Sequence, residues 1–210
     1  MPRASRTVPA PKTKTGRRTH SEDAILGAVR DLLLEAGPRG VTTAAVSVRS
    51  GAPTGSLYHR FGSRAAMVAE LWVRTIRRFH AFLFEATSGA EPGLPRALAF
   101  GQAVVTFAAR HPEDARLLLI ASREELARDS DLPSELTEEL ATLNQPVEEL
   151  ARQLCRELYG RVTPAGVERV VLAVVGLPYT AVRRRLLQNR SPDGLWPLIE
   201  QGARAILAGP

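Results

Sequence analysis

The chain of 210 residues has a formal net charge of +6, from 28 lysine and arginine residues and 22 aspartate and glutamate residues. Hydrophobic residues make up 44% of it, which is enough for a core and excludes disorder along the whole length. Its single cysteine, Cys155, excludes an internal disulfide and a cysteine metal cluster. The N-terminus lacks an apolar signal segment, and the most apolar run, residues 170–182, is too short to span a bilayer. We therefore expect a cytoplasmic protein with no membrane partner.

The positive charge is concentrated at the N-terminus. Residues 1–20 contain six basic residues and no acidic residue. Removing these six from the 28 basic residues leaves as many basic as acidic residues, 22 of each. Residues 1–18 are rich in proline, arginine and threonine without periodicity, so we predict a disordered basic arm. Its charge either contacts an anionic partner, most often nucleic acid, or only keeps the terminus soluble.

A first amphipathic helix is predicted to follow the arm. Thr19 and Glu22 have the spacing of a capping box. Gly37 and Pro38 are expected to end the helix. The apolar residues between them fall on one stripe, which should support the next segment. These residues are Ile25, Val29, Leu32, Leu33 and Ala36.

The stretch from Val41 to Leu71 reads as two short helices joined by a turn. Thr42 or Thr43 can cap the first helix, Gly51 suits the turn, and Pro53 suits the first position of the second helix. Two short helices across a glycine-containing turn are typical of a helix-turn-helix, whose second helix can enter the major groove of DNA. Helical spacing places Val46, Leu57 and Phe61 inward and Thr54, Ser56, Tyr58, His59 and Arg60 outward.

The rest of the chain has helical periodicity and no strand signal. A long fourth helix should fray near residues 87–89. The later helices are predicted at 95–110, 112–127, 133–159 with a bend near 144–146, 164–189 with a kink at Gly176 and Pro178, and 191–208. The sequence therefore predicts an all-α fold of about nine helices with short connections.

The residues of the helix-turn-helix resemble the TetR/AcrR family of bacterial transcription regulators. The chain reads T-T-x-x-V-S at 42–47, S-G-A at 50–52 and G-S-L-Y-H-R-F-G-S-R at 55–64, followed by Met67 and Leu71. The family pattern is T-T-x-x-I-A, then A-G-V-S-x-G-x-L-Y-x-H-F-x-S-K-x-x-L-x-x-x-L, and the resemblance covers residues 21–72. Three positions depart from it: Pro53 replaces a serine or threonine cap, Arg60 replaces histidine, and Arg64 replaces lysine.

The resemblance implies a DNA-binding domain at residues 19–66 and an effector-binding and dimerisation domain at 67–210. It assigns Thr42, Thr43, Tyr58 and Arg64 to the DNA backbone and Thr54, Gly55, Ser56 and His59 to the base edges, with Arg60 beside them. Residues 42–66 contain Arg49, Arg60 and Arg64 and no acidic residue, which predicts a face with three positive charges. Two alternatives stay open, because Tyr58 could pack on the first helix and His59 could be an ordinary solvated histidine.

For the larger domain, the resemblance implies a ligand pocket and a dimer interface. The candidate pocket residues are mainly aromatic, which favours an apolar or aromatic effector, although such a stripe is equally consistent with a core. They are Trp72, Phe79, Phe82, Phe100, Val104, Phe107 and Tyr179. Candidate dimer contacts lie on the last two long helices. They are Leu172, Val175, Tyr179, Leu186, Leu195, Leu198, Ile199 and Ile206.

No residue pattern in the sequence favours an enzyme. The histidines at 20, 59, 80 and 111 lack metal-site spacing, and no nucleotide or hydrolase fingerprint occurs. We therefore expect no catalysis, cofactor or metal, and interpret the chain as a homodimeric repressor that a small effector releases from a palindromic DNA operator. Two alternatives stay open: a DNA-binding regulator with no effector, and a helical interaction module that binds DNA only non-specifically.

Overall fold

The computed structural model describes residues 21–122, 126 and 131–208, and no β-strand occurs among them. The first three helices are α1 (Glu22–Gly40) and the short helices α2 (Thr43–Ser50) and α3 (Thr54–Phe61). The remaining α-helices are α4 (Arg64–Ser88), α5 (Leu94–Arg110), α6 (Pro112–Ile120), α7 (Ser134–Thr142), α8 (Gln145–Tyr159), α9 (Pro164–Val171), α10 (Leu177–Leu187) and α11 (Trp196–Leu207). The predicted all-α fold is confirmed, and the predicted basic arm at 1–18 lies outside the described residues.

Helix α1 begins two residues later than the predicted cap. Ser21 is the N-cap, and its hydroxyl oxygen accepts a hydrogen bond from the Ala24 N–H at 3.2 Å, so the prediction of Thr19 as the cap is wrong. Gly37 leaves the helical conformation, with φ of 68°, as predicted for the end of the main helix. One further turn then carries the chain to Gly40, and the apolar stripe of α1 is buried up to Leu33.

The helix-turn-helix forms as the sequence predicts, with one change at a helix start. Thr42 caps α2, because its hydroxyl oxygen accepts from the Ala45 N–H at 3.1 Å. Gly51 ends α2 in the left-handed conformation with φ of 71°, which a side chain would disfavour. Pro53 is the N-cap of α3 instead of its first helical residue. Val46 and Leu57 are fully buried, as predicted.

Helix α4 connects the two halves of the molecule. Ser63 caps it, and the hydroxyl oxygen accepts from the Ala66 N–H at 3.0 Å. Its first half packs with α1, α2 and α3 in one hydrophobic cluster that includes Met67 and Leu71. Its second half packs through Leu83 in another cluster, with α5, α8, α9 and α11. We call α1–α3 the head and α5–α11 the body, with α4 running from one to the other.

Three helix boundaries in the body differ from the prediction. Helix α6 ends at Ile120 instead of Ala127, because Ala121 is extended and its carbonyl accepts the Trp72 indole N–H at 3.0 Å. The helix predicted at 133–159 is two helices, and α8 begins at the predicted bend. The last helix begins at Trp196 because Ser191 and Asp193 form a turn, with the Ser191 hydroxyl donating to the Asp193 carboxylate at 2.7 Å.

The predicted kink at Gly176 and Pro178 is a π-helical turn at Leu172–Gly176, between α9 and α10. The continuous helical stretch Pro164–Leu187 is long and apolar enough to cross a membrane by length and composition alone. Only 28% of its most apolar window is buried, so much of its apolar surface is not covered by the chain itself. Single-turn π-bulges often re-aim side chains at functional surfaces, and this one lies within the uncovered stretch.

Candidate DNA-binding surface

Helix α3 has one buried face and one open polar face. Leu57 and Phe61, four residues apart, are buried and fix the helix against α1 and α4. The predicted base-reading side is open: Thr54, Gly55 and His59 are exposed and Ser56 is half-buried. A Cβ added at Gly55 would meet nothing within 4 Å, so an approaching surface can come close to the backbone there.

The two predicted phosphate-binding threonines lie at the start of α2. The exposed Thr42 uses its oxygen as a capping acceptor, which leaves its hydroxyl hydrogen free to donate outward. Thr43 is the first residue of α2 and is half-buried. The free N–H groups at a helix N-terminus favour a phosphate, so this end of α2 can take part in binding the DNA backbone.

The other two predicted phosphate contacts are Tyr58 on α3 and Arg64 at the start of α4. The Tyr58 side chain is outside the core, with 54% of its surface exposed, so burial against α1 does not account for it. Arg64 is exposed and donates from Nη2 to the carbonyl oxygen of Pro38 at 2.8 Å. This bond fastens the turn after α1 to the start of α4. Arg64 therefore has an internal partner that any phosphate contact must share or replace.

Of the three arginines that the sequence predicts on this face, Arg49 is paired with acidic residues of α1. The Arg49 guanidinium donates to both carboxylate oxygens of Glu35 on α1, at 2.8 and 2.7 Å, and lies 3.7 Å from Asp31. The hydrogen bond from Arg49 lowers the pKa of Glu35, and the same bond raises the pKa of Arg49. The charge of Arg49 is therefore balanced inside the head.

A group of four glutamates beside α3 was not predicted from the sequence. Arg60 lies at the rim of a hollow of about 230 Å³ between α3, α4 and α7, where four glutamates line the wall. Three of these four carboxylates form ion pairs: Arg74 pairs with Glu22 and Glu70, and Arg77 pairs with Glu139. The glutamates are Glu22, Glu70, Glu135 and Glu139. Arg60 itself forms no ion pair within the described residues, and its exposed side chain can reach a phosphate.

The seven predicted pocket residues are distributed over several places. Phe79, Phe82 and Phe107 pack together with His111, at ring-centroid distances from 5.1 to 6.2 Å, and we call these four residues the aromatic cluster. Trp72 belongs to the hydrophobic cluster of the head. The other three residues lie in the body. Phe100 is buried, and Val104 packs against the same hydrophobic cluster. Tyr179 is about half exposed, on α10. The seven residues therefore do not share one location.

The last helices carry most of the exposed large apolar side chains. Leu172 is 54% exposed and Leu198 is 71% exposed, with Val171, Tyr179 and Leu187 also exposed on the same helices. We call these five residues the apolar face. Five of the eight predicted dimer contacts do not belong to it. Leu186 and Ile199 are buried in a core cluster with Val105, so for these two the prediction of a dimer contact is corrected. The other three, Val175, Leu195 and Ile206, are partly buried against core clusters.

The short helices α2 and α3 meet at the turn of Gly51, and α1 supports them. This arrangement, attached to a helical body, defines a helix-turn-helix DNA-binding protein. Residues 25–71 match the family model of the bacterial regulatory proteins of the tetR family. This match confirms the resemblance that the sequence indicated for the helix-turn-helix. The family consists of transcriptional regulators, which are not enzymes. No curated protein matches the sequence.

Solved structures extend the likeness to the body. The fatty acid degradation regulator FadR from Bacillus halodurans is 15% identical, with 90% of this chain and 100% of that chain covered and a TM-score of 0.66. The ketosteroid transcriptional regulator KstR2 of Mycobacterium tuberculosis is 17% identical, with 90% and 93% covered and a TM-score of 0.64. A transcriptional regulator from Rhodococcus sp. Rha1 is 22% identical, with 89% and 96% covered and a TM-score of 0.62. At these identities the likeness shows the fold, which is that of the TetR-type regulators over head and body.

Proposed function

We propose that this protein is a homodimeric, sequence-specific transcriptional repressor that leaves a palindromic operator when a small apolar or aromatic effector binds its body. The observation that carries the proposal is the outer face of α3. Its polar side chains Thr54, Tyr58, His59 and Arg60 are exposed and form no hydrogen bond or ion pair within the described residues. Polar groups on a rigid helix without internal partners are what direct readout of base edges and phosphates requires.

In the proposed complex the residues of this surface have the roles that the family resemblance implies. His59 and Ser56 can exchange hydrogen bonds with base edges, and Gly55 permits close backbone approach. In the same proposal the phosphates are contacted by Thr42, Thr43, Tyr58 and Arg64, with Arg60 beside them. In this arrangement residues 19–66 are the DNA-binding domain, and the basic arm at 1–18 adds sequence-independent attraction.

The apolar face supports the homodimer. Five large apolar side chains are exposed on α9–α11 and the π-helical turn between α9 and α10, within or next to a helical stretch that is mostly uncovered. Burying such a face against a second copy removes apolar surface from water. A two-fold dimer would present two copies of α3 at a spacing of about 34–36 Å, which matches successive major grooves of a palindromic site.

The aromatic cluster supports an apolar effector. It lies between α4, α5 and α6, and α4 and α6 both contact the head. One of the similar structures is named as a fatty acid degradation regulator and another as a ketosteroid transcriptional regulator. Fatty acids and ketosteroids are both largely apolar compounds. An effector that binds one arrangement of head and body more tightly than the other would shift the population away from the DNA-binding arrangement. Such a regulator works in the cytoplasm, where it meets DNA.

Selection of binding sites from random duplexes tests the proposal directly. The purified protein should enrich a palindromic site and prefer it over random DNA by about 10³-fold or more. Equal binding to all duplexes would show instead a helical module with only non-specific affinity. A thermal-shift screen of apolar compounds, followed by measurement of operator release, then tests the effector. Operator binding that no compound reverses would favour the regulator without an effector.

A further inference from the structure

Asp114 is the one acidic side chain that is buried within residues 21–122, 126 and 131–208, with 3% of its surface exposed. It lies in the first turn of α6, where the helix dipole favours a negative charge. Its Oδ2 accepts a hydrogen bond from Arg78 Nη1 at 2.6 Å, and its Oδ1 lies 3.2 Å from Arg30 Nη2. Each oxygen of this carboxylate therefore holds a different arginine.

The two arginines come from different parts of the molecule. Arg30 is on α1, the helix that supports α2 and α3 in the head, and Arg78 is on the second half of α4. Asp114 is on α6, in the body. One buried carboxylate thus joins the head, the connecting helix and the body, and we call Arg30, Asp114 and Arg78 the junction clamp.

The junction clamp also adjoins the aromatic cluster. Arg78 is followed directly by Phe79, whose ring lies 5.1 Å from that of Phe107. His111 is the N-cap of α6, three residues before Asp114, and its ring also lies 5.1 Å from that of Phe107. A molecule that displaces the aromatic cluster would therefore move α4 and α6 at the residues that hold the clamp.

The physics of the buried carboxylate gives the clamp a defined geometry. A buried charge is expensive unless it is paired and hydrogen-bonded, so the three helices are stable together only where both arginines reach Asp114. Without that charge the two guanidiniums would face each other and repel. Both keep some exposure to solvent, 26% for the Arg30 side chain and 54% for Arg78, so they can turn into water and release α1.

We infer that Asp114 is a positioning residue that fixes the orientation of the head on the body, and that effector binding acts by loosening this junction clamp. The effector step rests on the proposed function. The positioning step depends only on the contacts of these three side chains, so the two steps can be tested separately.

A distance measurement that needs no DNA tests the positioning step. Spin labels are placed at the exposed Val48 on α2 and the exposed Glu91 after α4, in doubly labelled protein diluted with unlabelled protein. Cys155 is buried and stays unlabelled in the folded chain. The parent should give one narrow distance distribution, and Asp114→Asn should broaden it at unchanged helical content. Glu113→Gln, the exposed neighbour, is the matched control and should leave it narrow.

The same labels keep the test decisive if Asp114→Asn does not fold. Arg78→Met removes one link and leaves Asp114 paired with Arg30, so it should also broaden the distribution. A folded Asp114→Asn or Arg78→Met variant with the parent's distribution would overturn the inference.

Operator duplexes with altered half-site spacing provide the second readout. The parent should prefer one spacing, whereas Asp114→Asn should bind that spacing about tenfold more weakly and lose most of the preference, because its heads are no longer held at one orientation. A purely structural loss of stability would weaken all spacings alike, and that result would also overturn the inference. If the parent itself selects no site, the proposed function fails, while the distance measurement still decides the role of Asp114.

Discussion

Arg49 on α2 and Glu35 on α1 form a two-pronged ion pair, with both nitrogen–oxygen distances below 3 Å. Arg49 is the one charged residue of α2, so this pair fastens the first helix of the helix-turn-helix to its support. Because Glu35 already balances Arg49, the charge available to DNA on this surface comes from Arg60 and Arg64. The three arginines that the sequence places on this face therefore differ in their partners: Arg49 pairs with Glu35, Arg64 donates to the Pro38 carbonyl oxygen, and Arg60 has no ion pair within the described residues.

Arg60 and Arg49 should differ in the salt dependence of operator binding. Arg60→Met keeps an apolar stem and removes a charge that is unpaired within the described residues. It should reduce the slope of log affinity against log salt concentration by about 0.9, the value for one phosphate contact. Arg49→Met should leave the slope unchanged, since no counterion release depends on it. Fluorescence anisotropy over a salt series measures both slopes, and an equal reduction in the two variants would mean that Arg49 leaves Glu35 to contact DNA.

His59 should affect which sequence is bound. His59→Ala should cost about 1–3 kcal/mol of operator affinity and relax discrimination at one base position, because an exposed histidine on the open face of α3 can bond to a base edge. Competition with operators substituted at single positions measures this. Gln102→Ala, at an exposed position of α5 in the body, is the control and should change nothing. An ordinary solvated histidine would give the same loss on every duplex, or no loss.

The buried side of the head could be predicted because it depends on local spacing. Leu57 and Phe61 are four residues apart on one helix, so any packing of that face buries both. The pairing of Arg49 could not be predicted, because its partners lie on α1 and depend on how two helices cross. The sequence predicted Thr19 as the cap of α1, but the structure uses Ser21, because serine and threonine hydroxyls can both accept the capping hydrogen bond and spacing alone does not select between them.

The body shows the same limit more strongly. Leu186 and Leu187 are adjacent and equally apolar, but the structure buries the first and exposes the second. Three consecutive arginines at 183–185 directly precede these two leucines, so the apolar spacing of α10 does not show which leucine faces the core. The π-helical turn also shifts the register of the following helix, so spacing counted from α9 does not carry over into α10.

The apolar face should be required for dimerisation. Leu198→Glu puts a charge at the most exposed residue of that face, and we expect it to yield monomers in sedimentation velocity. Operator affinity should fall with it, since one head reaches only one half-site. Ala141→Glu, at an exposed position of α7, is the control and should stay dimeric. Unchanged dimers in Leu198→Glu would place the interface elsewhere.

Glu157 should make the body sensitive to acid. Burial alone would raise its pKa. Hydrogen bonds from the Gly93 N–H and from Gln153, both at 2.8 Å, together with the ion pair to Arg96, outweigh burial and lower the pKa below the ordinary value of 4.5. A lowered pKa in the folded state means that the charged form stabilises the fold. This contribution is complete above the unfolded-state pKa and is lost as the pH falls through the lower folded-state value.

Glu157→Gln should therefore lower the free energy of unfolding by about 1.5–3 kcal/mol at neutral pH, the range for hydrogen bonds to a charged group. The difference from the parent should shrink as the pH falls from the ordinary value of 4.5 through the lower folded-state pKa, because Glu157 of the parent is then protonated as well. Urea unfolding at pH 7 and pH 3.5 measures both differences. Glu149→Gln, on the exposed side of the same helix, should cost little at either pH because its pair with Arg152 lies on the surface. A Glu157→Gln difference that stays constant between the two pH values would show that shape, and not charge, is what this residue contributes.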